Sequence, residues 1–312
     1  MKSLRIAVQM DPIEKMIVNH DTSLALMVEA QARGHEIWWW TPDDLFYELG
    51  IIKANARRVS VSLAEDAHYQ TQEQATRAVD DFDVVLVRQD PPFDMAYITN
   101  TYLLEITKAL VINPPRGIRN ISEKTSILQF PELTPNTWVG RDLDALEAFA
   151  RRYEQVVLKI LFMMGGEGVI KLAASDPDFR SKAAAFLAAT GREPILVQEF
   201  LPAVSGGDKR VFVLNGEPFA ALRRMPKAGD FRANLAVGGQ AVAGELDADD
   251  RAIAAAVAPL LKSEGIVFAG LDVIAGKLIE INVTSPTLAQ ELKRLSGLDL
   301  PKAFWDRVET LF

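Results

Sequence analysis

The feature that most constrains this fold lies near the end of the sequence, where residues 268–286 alternate between apolar and polar side chains. A period of two is typical of a strand pair with one buried face. The polar positions include Asp272, Glu280 and Asn282. Two carboxylates and a carboxamide are hard oxygen ligands of the kind that hold Mg²⁺ together with substrate phosphates. The alternative is an ordinary edge hairpin with a solvated face, and this segment alone does not decide between the two.

The turn of this hairpin, Ala275-Gly276, decides whether the two carboxylates share a face. A strict two-residue turn pairs Asp272 with Ile279, so that Asp272 faces away from Glu280. A three-residue loop with Gly276 in the left-handed conformation, or an equivalent bulge, pairs Asp272 with Glu280 instead. A shared metal site requires the second register, and we predict that register. Carboxylates on opposite faces would exclude the shared site.

Composition narrows the function classes. The 312 residues suggest two or three packed units, and 49% hydrophobic residues provide a substantial core. The net charge of −8 argues against general nucleic-acid binding, which needs a basic surface. The lack of cysteine excludes disulfides, thiolate catalysis and cysteine-bound zinc, and the three histidines lack ligand spacing. With no apolar membrane-spanning run and no secretory signal, we expect a soluble cytoplasmic protein without a membrane partner.

Strands and helices alternate along residues 1–121. The predicted strands are 5–10, 36–40, 83–88 and 109–113, and the predicted helices are 21–33 and 94–108. This alternation implies a parallel sheet, whose ligands gather at the carboxyl ends of the strands. The residues that this rule places near a cleft are Met10, Asp11, Arg88, Asp90 and Asn113.

The rest of the chain mixes helices with antiparallel strands, so the predicted class is α/β together with α+β. Residues 122–201 contain predicted helices at 122–130, 143–152 and 177–190 and predicted strands on both sides of a glycine loop and at 195–201. Residues 202–312 contain a hairpin turning at Asn215-Gly216, a strong type I′ signal, then a polar loop at 227–239. A helix at 248–264, the hairpin at 268–286 and a helix from Pro301 follow.

The glycine loop, Gly165-Gly166-Glu167-Gly168, lies between two predicted strands. It is therefore neither a P-loop nor a dinucleotide fingerprint, both of which precede a helix. Such a loop can fold over phosphates and donate backbone N–H groups, although hairpin turns are commonly glycine-rich as well. Lys159, in an otherwise apolar strand, requires a charged partner, and a nucleotide phosphate would serve.

Two further segments are candidates for ligand contacts. The segment Gln198-Glu199-Phe200-Leu201 would offer backbone groups to adenine and Glu199 to ribose hydroxyls, or it is simply an exposed strand end. A cationic set suggests an anionic substrate and phosphate transfer, with a surface ion network as the alternative. Together with the hairpin we favour the functional interpretation for this set, which comprises Lys209, Arg210, Arg223, Arg224 and Arg232.

In this order, these elements resemble the ATP-grasp fold, and more closely the bacterial glutathione synthetase family from end to end. The matching segments include Gly207-Asp-Lys-Arg210 and Glu280-Ile-Asn-Val-Thr-Ser-Pro286. Other matches lie at 10–13, 21–23, 29–31, 88–94, 123–124, 133–135, 232–239 and 270–272. The resemblance implies an N-terminal substrate-side (pre-ATP-grasp) domain at 1–121, a lid subdomain with the glycine loop at 122–201, and a C-terminal subdomain with the metal-ligand hairpin at 202–312.

The resemblance implies that ATP phosphorylates the cysteinyl carboxylate of γ-glutamylcysteine and that glycine attacks the acyl phosphate, in a homotetramer. Metal ions, Mg²⁺ or Mn²⁺, would be held by Asp272, Glu280 and Asn282. Arg210, Arg232 and Asn282 would act at the reacting groups. ATP would be bound by Lys124, Lys159, Gly165, Gly166, Gly168, Gln198, Glu199, Leu201 and Asp208. The peptide and glycine would be bound by Asp11, Arg88, Arg224, Arg232 and Ser285.

The glycine loop departs from the family pattern. The family usually has Lys-Pro before this loop and an earlier glycine within it, whereas here Ile160 follows Lys159 and the bulky Phe162-Met163-Met164 precedes Gly165. Ser122 replaces the family's asparagine before Glu123-Lys124. Two alternatives therefore stay open: a related ligase with another donor or acceptor, and an ATP-binding protein that has lost catalysis.

Overall fold

The computed structural model describes residues 3–312, which form three β-sheets with eight α-helices. Within those residues, no helix is both long enough and apolar enough to cross a membrane. The strands of the three sheets follow one another along the chain, so the predicted boundaries near 121 and 201 fall between sheets.

The first sheet has a parallel centre with an antiparallel extension. Its strands are β1 (Arg5–Gln9), β2 (Glu36–Trp40), β3 (Leu45–Glu48), β4 (Ile51–Val61), β5 (Tyr69–Ala78), β6 (Val84–Val87) and β7 (Leu110–Ile112). They are ordered β3-β4-β2-β1-β6-β7, with β5 on the outer edge of β4. Strands β1, β2, β6 and β7 are parallel, as the alternation predicts. The antiparallel strands β3 to β5 were not predicted.

The helices of this unit are α1 (Thr22–Ala32), α2 (Met95–Glu105) and α3 (Pro115–Asn120). Helix α1 begins where the sequence predicts, because Asp21 is its N-cap and accepts a hydrogen bond from the amide of Leu24 at 2.7 Å. The short helix α3 was not predicted.

The second sheet is antiparallel, with strands β8 (Thr137–Gly140), β9 (Gln155–Ile160), β10 (Val169–Ala173) and β11 (Ile195–Glu199) in the order β10-β9-β11-β8. The helices α4 (Leu143–Ala150) and α5 (Phe179–Ala189) form a shared core with it. The helix predicted at 122–130 is wrong: only a 3-10 turn forms at Ser126–Gln129. The reason is that the carbonyl of Glu123 accepts the amide of Ile281 at 2.9 Å, which ties this segment to the third sheet.

The third sheet is also antiparallel. Its strands are β12 (Asp208–Leu214), β13 (Glu217–Met225), β14 (Gln240–Gly244), β15 (Phe268–Ile274) and β16 (Lys277–Asn282), in the order β14-β13-β12-β15-β16. Its helices are α6 (Ala248–Ser263), α7 (Ala289–Ser296) and α8 (Leu300–Val308). Helix α6 contributes to the core of this sheet, whereas α7 and α8 join the core of the first sheet. There the indole of Trp305 donates to the carbonyl of Leu26 at 2.8 Å.

The register of the β15–β16 hairpin confirms the prediction. Asp272 pairs with Glu280, and a bulge follows because Val273 pairs with Leu278, which leaves Ile279 as the extra residue. The turn itself has two residues, Ala275 and Gly276, with φ of 48° and 72°. The bulge therefore does what the three-residue loop would have done, and it puts both carboxylates on one face of the sheet.

Asn113 connects the first sheet to the third. Its amide nitrogen donates to the carbonyls of Phe268 and Val283, each at 2.7 Å, and its oxygen accepts the amides of Val267 and Phe268 at 3.0 Å. Because these bonds use the whole carboxamide, the prediction that Asn113 lies at a ligand cleft is corrected. Its role is to dock the two sheets.

Candidate active site

Two cavities meet on the third sheet. The first lies between the second and third sheets, and the second, of about 700 Å³, lies between the first and third. A cavity of that size suits a small peptide. Arg224, Glu280 and Gly165 line both cavities, so the contents of one would touch the contents of the other.

The cavities bring together every residue that the family resemblance assigned to the site except Gly168. Of the cationic set, Lys209 and Arg223 line neither cavity: Lys209 donates to Asp250 at 2.7 Å and Arg223 to the carbonyl of Gly206 at 3.0 Å, so the functional interpretation is corrected for these two. The first cavity is lined by Lys124, Lys159, Gly165, Gly166, Gln198, Glu199, Leu201, Asp208, Arg224, Arg232, Asp272 and Glu280. The second is lined by Asp11, Arg88, Gly165, Arg210, Arg224, Glu280, Asn282 and Ser285. Gly168 lines neither cavity and instead lies close to the side chain of Ile160. Met10 and Asp90 also line the second cavity, as expected from the carboxyl ends of β1 and β6.

A buried charge cluster of alternating sign lies where the cavities meet. Asp272 accepts from Arg210 Nε at 2.6 Å and from Arg224 Nη2 at 2.8 Å. Arg224 also binds Asp208 through two bonds of 2.7 and 2.6 Å. Gly270 leaves room for this arrangement, since a Cβ there would lie 2.9 Å from Arg210 Cδ. Sequence patterns predicted that these residues belong to the site. Their alternation in charge follows from strand pairing, because β12 places Asp208 opposite Arg224 of β13 and Arg210 opposite Asp272 of β15.

The pKa values of the two carboxylates in the cluster are shifted in opposite directions. Burial alone would raise the pKa of Asp272, but the charges of Arg210 and Arg224 outweigh it and hold that pKa well below the usual range. Burial raises the pKa of Asp208 despite its contact with Arg224. Asp272 is therefore the firmly ionised member at neutral pH, as a carboxylate that binds a metal ion should be.

The predicted metal ligands have suitable chemistry and placement. Asp272 and Glu280 are cross-strand partners, and Asn282 lies two residues further along the same face of β16. The amide nitrogen of Asn282 donates to the carbonyl of Gly270 at 3.1 Å, which orients its side chain. Across residues 3–312, no group of three or more His, Cys, Asp or Glu side chains could hold a metal ion. Two carboxylates and an amide fit Mg²⁺ that completes its coordination with phosphates and water.

Two buried lysines face the first cavity. Lys124 donates to the carbonyls of Leu161 and Met163, and its Nζ lies 3.9 Å from Glu280 Oε1. Burial lowers the pKa of Lys159, and the nearby Glu280 opposes that shift. A buried ammonium gains from an added anion, so Lys159 favours a phosphate ligand.

The glycine loop is tied to its surroundings on both sides. Arg232 Nη1 donates to the carbonyl of Gly166 at 3.1 Å, so the segment 227–239 reaches across the first cavity to this loop. At the start of the loop, the carbonyl of Phe162 accepts the amide of Phe93 at 3.1 Å. Of the bulky residues that depart from the family pattern, Phe162 therefore contacts the first unit, whereas Met163 and Met164 line the first cavity.

We expect Met163→Gly to raise the apparent KM for ATP by about two- to fivefold, because glycine adds backbone freedom worth about 0.5–1 kcal/mol. Met163 lines the first cavity, and Lys124 binds its carbonyl. Steady-state kinetics at varied ATP would measure the change, with Met163→Leu as the control that keeps the side-chain bulk. An unchanged KM would contradict this expectation.

At the first-sheet side, Arg88 is buried and donates to Ser23 Oγ at 3.0 Å and to the carbonyl of Pro286 at 2.9 Å. Burial lowers its pKa. Asp11 accepts the amide of Asp90 at 2.8 Å, and the side chain of Asp90 bonds Ser285. These bonds join the first unit to the segment after β16.

Sequence reasoning assigned no role to Glu123, although it borders Lys124. Its Oε1 accepts the hydroxyl of Thr284 at 2.7 Å and the amides of Val283 and Thr284, each at 3.3 Å. Burial raises the pKa of Glu123. The residue thus positions the segment that carries Ser285, and apart from its place in a matching motif no sequence signal pointed to it.

Comparisons with known proteins agree with this geometry. A family model of the prokaryotic glutathione synthetase N-terminal domain matches residues 4–119, and one of the ATP-grasp domain of the same enzymes matches residues 123–297. The glutathione synthetase of Bradyrhizobium diazoefficiens is 42% identical over 308 residues, covering 98% of each chain. That of Rhodopseudomonas palustris is 43% identical over 309 residues, again covering 98% of each.

Solved structures with less sequence similarity share the fold. The D-cycloserine synthetase DcsG has a TM-score of 0.70 at 15% identity, covering 97% of this chain and 98% of that one. The ATP-grasp ligase PsnB, complexed with a minimal precursor, has a TM-score of 0.63 at 19% identity, and both chains are fully covered. At these identities the likeness shows the fold alone, and it confirms the predicted ATP-grasp fold.

Proposed function

Because this chain belongs to the prokaryotic glutathione synthetase family of ATP-dependent peptide ligases, we propose that it joins γ-glutamylcysteine to glycine, forming glutathione, ADP and phosphate. The observation that carries the proposal is the meeting of two cavities at Arg224 and Glu280. ATP in the first cavity would present its terminal phosphate to a peptide carboxylate in the second. Positioning of this kind supplies much of the rate enhancement in phosphoryl transfer.

The nucleotide would lie along the second sheet. Lys159, together with Lys124 once released from its loop carbonyls, would bind phosphate oxygens, and Gly165 and Gly166 would offer backbone N–H groups. Gln198, Glu199 and Leu201 would hold the adenosine end. Gly168 would act indirectly by shaping the loop, and Asp208 by holding Arg224 at 2.7 Å.

The peptide would lie between the first and third sheets. Arg88 and Asp11 would bind its γ-glutamyl end, and Ser285 and Arg224 would bind carboxylates near the reacting carbon. Arg232 would bind glycine, because the segment 227–239 carries it to the glycine loop, where it donates to Gly166 at 3.1 Å.

The chemistry has two steps without a protein nucleophile. The cysteinyl carboxylate attacks the terminal phosphorus, the bond to ADP breaks, and an acyl phosphate forms. The amine of glycine then attacks the acyl carbon and phosphate leaves. Arg210 would stabilise the charge on the transferring group, and Asn282 would orient it. Asp272, Glu280 and Asn282 would hold Mg²⁺ or Mn²⁺, which supplies charge neutralisation at the phosphates when bound.

The test is release of ADP by the purified protein with MgATP and γ-glutamylcysteine, with and without glycine, and identification of the product by mass. The proposal expects glycine-dependent ADP release and a product with the mass of glutathione. Turnover only with another donor or amine would favour a related ligase. Binding of MgATP without turnover on any acceptor would favour a protein that has lost catalysis.

We further propose that the protein acts in the cytoplasm as a homo-oligomer, a tetramer by family resemblance. Apolar side chains are exposed around the turn between β3 and β4, where Leu49 is 93% exposed with Tyr47 and Ile51 beside it. Strand β5 also lies at the edge of the first sheet. Burial of this patch against a second copy would remove it from water.

Leu49→Asp is therefore expected to lower the molar mass measured by light scattering after gel filtration, because it would place a charge inside the contact. Leu311→Asp, at an exposed position near the C-terminus, is the control and should keep the parent mass. A monomeric parent protein would overturn the oligomer, and an unchanged mass for Leu49→Asp would overturn this contact.

A further inference from the structure

Three side chains from different parts of the chain meet at the mouth of the first cavity. The ring of Phe231 packs edge-on against that of Phe200, with centroids 6.0 Å apart and planes at 85°. The ammonium of Lys171 lies 4.3 Å from the centroid of Phe200 and 5.5 Å from that of Phe231. We call Lys171, Phe200 and Phe231 the aromatic clamp. Phe200 and Phe231 line the first cavity itself.

The ammonium of Lys171 interacts with the aromatic rings of Phe200 and Phe231. In the described part of the chain, residues 3–312, no carboxylate lies within 4.0 Å of its ammonium, although many other lysines and arginines have such partners. A cation over an aromatic face at an exposed site contributes about 0.5–1 kcal/mol, which is a two- to fivefold effect on an equilibrium. The edge-on ring pair adds to that.

The clamp joins three elements that border the first cavity. Lys171 is on β10 of the second sheet, Phe200 follows β11, and Phe231 belongs to the segment 227–239, which leaves the third sheet after β13. The amide of Phe200 donates to the carbonyl of Gln155 at 3.0 Å, and this bond fixes the backbone that carries the Phe200 ring. Phe231 thus connects the segment 227–239, on the third-sheet wall of the cavity, to the second-sheet wall opposite.

The next residues along the segment make a second contact. Arg232 donates to the carbonyl of Gly166 at 3.1 Å, and Asn234 Oδ1 lies 3.0 Å from where a Cβ on Gly166 would be. The segment is therefore held at the glycine loop through Arg232 and at the cavity mouth through Phe231. Ala236 and Val237 also lie beside Gly165 and Gly166, and Leu235 packs against the core of the first sheet, so the contact that Phe231 adds is the one at the cavity mouth.

We propose that Phe231 is a positioning residue which, with Lys171 and Phe200, closes the segment 227–239 over bound nucleotide and so sets nucleotide affinity and the rate of ADP release. The proposal rests on the proposed function in taking the first cavity as the nucleotide site. It assigns no part to the clamp in binding the γ-glutamyl peptide, because Asp11, Arg88 and Ser285 lie in the other cavity.

The experiment is calorimetric titration of the full chain with MgADP, together with kinetics at varied ATP and varied γ-glutamylcysteine. Phe231→Ala is expected to weaken MgADP binding about tenfold and to raise the KM for ATP equally, with the KM for the peptide unchanged. Phe231→Tyr should restore binding because it keeps the aromatic face, whereas Phe231→Leu should not. Phe312→Ala, which removes an exposed ring at the C-terminus, is the control.

A double-mutant cycle separates the clamp from a general packing effect. Lys171→Met keeps the length of the side chain but not its charge, and it should weaken MgADP binding two- to fivefold in the parent and have no effect in Phe231→Ala. Parent-like MgADP affinity for Phe231→Ala, or for Phe231→Leu, would overturn the proposal. So would independent effects of the two substitutions. Because the titration needs no turnover, a tenfold loss of affinity would support the clamp even if no glutathione were formed.

Discussion

Asp272→Asn is expected to reduce turnover by about 1,000-fold and to lower the free energy of unfolding by about 3–5 kcal/mol. The loss of stability arises because Asp272 is the carboxylate shared by Arg210 and Arg224, and all three side chains are buried. Removing its charge leaves Arg210 without its ion-pair partner and Arg224 with Asp208 alone. The loss of activity arises because the same carboxylate lines the first cavity beside Glu280.

Urea denaturation and steady-state kinetics would measure the two losses. Asp306→Asn is the matched control, because Asp306 is exposed and its partner Arg33 keeps Glu29 and Glu309, so stability should change by less than about 1 kcal/mol. The pKa of Asp272 lies below its unfolded value, so its contribution is fully present at neutral pH. That contribution is lost only as the pH falls through the folded pKa. A fully stable Asp272→Asn protein would show that the cluster does not stabilise the fold.

Glu280→Gln is expected to reduce kcat at least about 100-fold at fixed Mg²⁺ while changing the free energy of unfolding by less than about 1 kcal/mol. Glu280 lines both cavities and is the cross-strand partner of Asp272, but its ion contact is a single one, 3.9 Å from Lys124. Lys124 also keeps its two carbonyl acceptors in the variant.

The dependence on Mg²⁺ distinguishes a lost ligand from lost packing. A variant that lacks one oxygen ligand should need a higher Mg²⁺ concentration for half-maximal rate and should bind Mg²⁺ more weakly with a nucleotide analogue present. Glu217→Gln, at an exposed position on β13, is the control and should behave like the parent. A Glu280→Gln enzyme with the parent's Mg²⁺ dependence would remove Glu280 from the proposed metal site.

The two substitutions together separate what the hairpin does for stability from what it does for chemistry. Asp272 is bound to arginines, so the fold and the site both depend on it. Glu280 faces the cavities with one distant ion contact, so only the site should depend on it. The two residues are cross-strand neighbours, and the difference comes from their other partners. Asp272 binds two buried arginines, whereas Glu280 lies 3.9 Å from Lys124.

Much of the site was readable from the sequence because its residues stand in local patterns. The period-two alternation at 268–286 predicted the hairpin, and the need for a shared carboxylate face predicted its bulged register. The alternation of strands and helices predicted the parallel centre of the first sheet and placed Asp11, Arg88 and Asp90 at strand ends. Motifs that resemble a known family then supplied roles for residues that are distant in the sequence.

Other features escaped sequence reasoning because they depend on contacts between distant segments. The pattern at 122–130 suggested a helix, but the carbonyl of Glu123 binds Ile281 in another sheet. Asn113 follows a strand as a cleft residue would, yet its carboxamide docks two sheets. Nothing in the order of residues indicates that Lys171, Phe200 and Phe231 meet.

Local periodicity and turn residues were therefore enough for the class of fold and the register of the β15–β16 hairpin, and the family resemblance supplied most of the residues that line the two cavities. Tertiary structure alone decided which charges neutralise one another, where the two cavities meet and which side chains come together at the mouth of the first. The physical reason is that strand and helix patterns reflect neighbours a few residues apart. The charge of Asp272, in contrast, is held by Arg210 and Arg224, which stand 62 and 48 residues before it and reach it only through the pairing of strands.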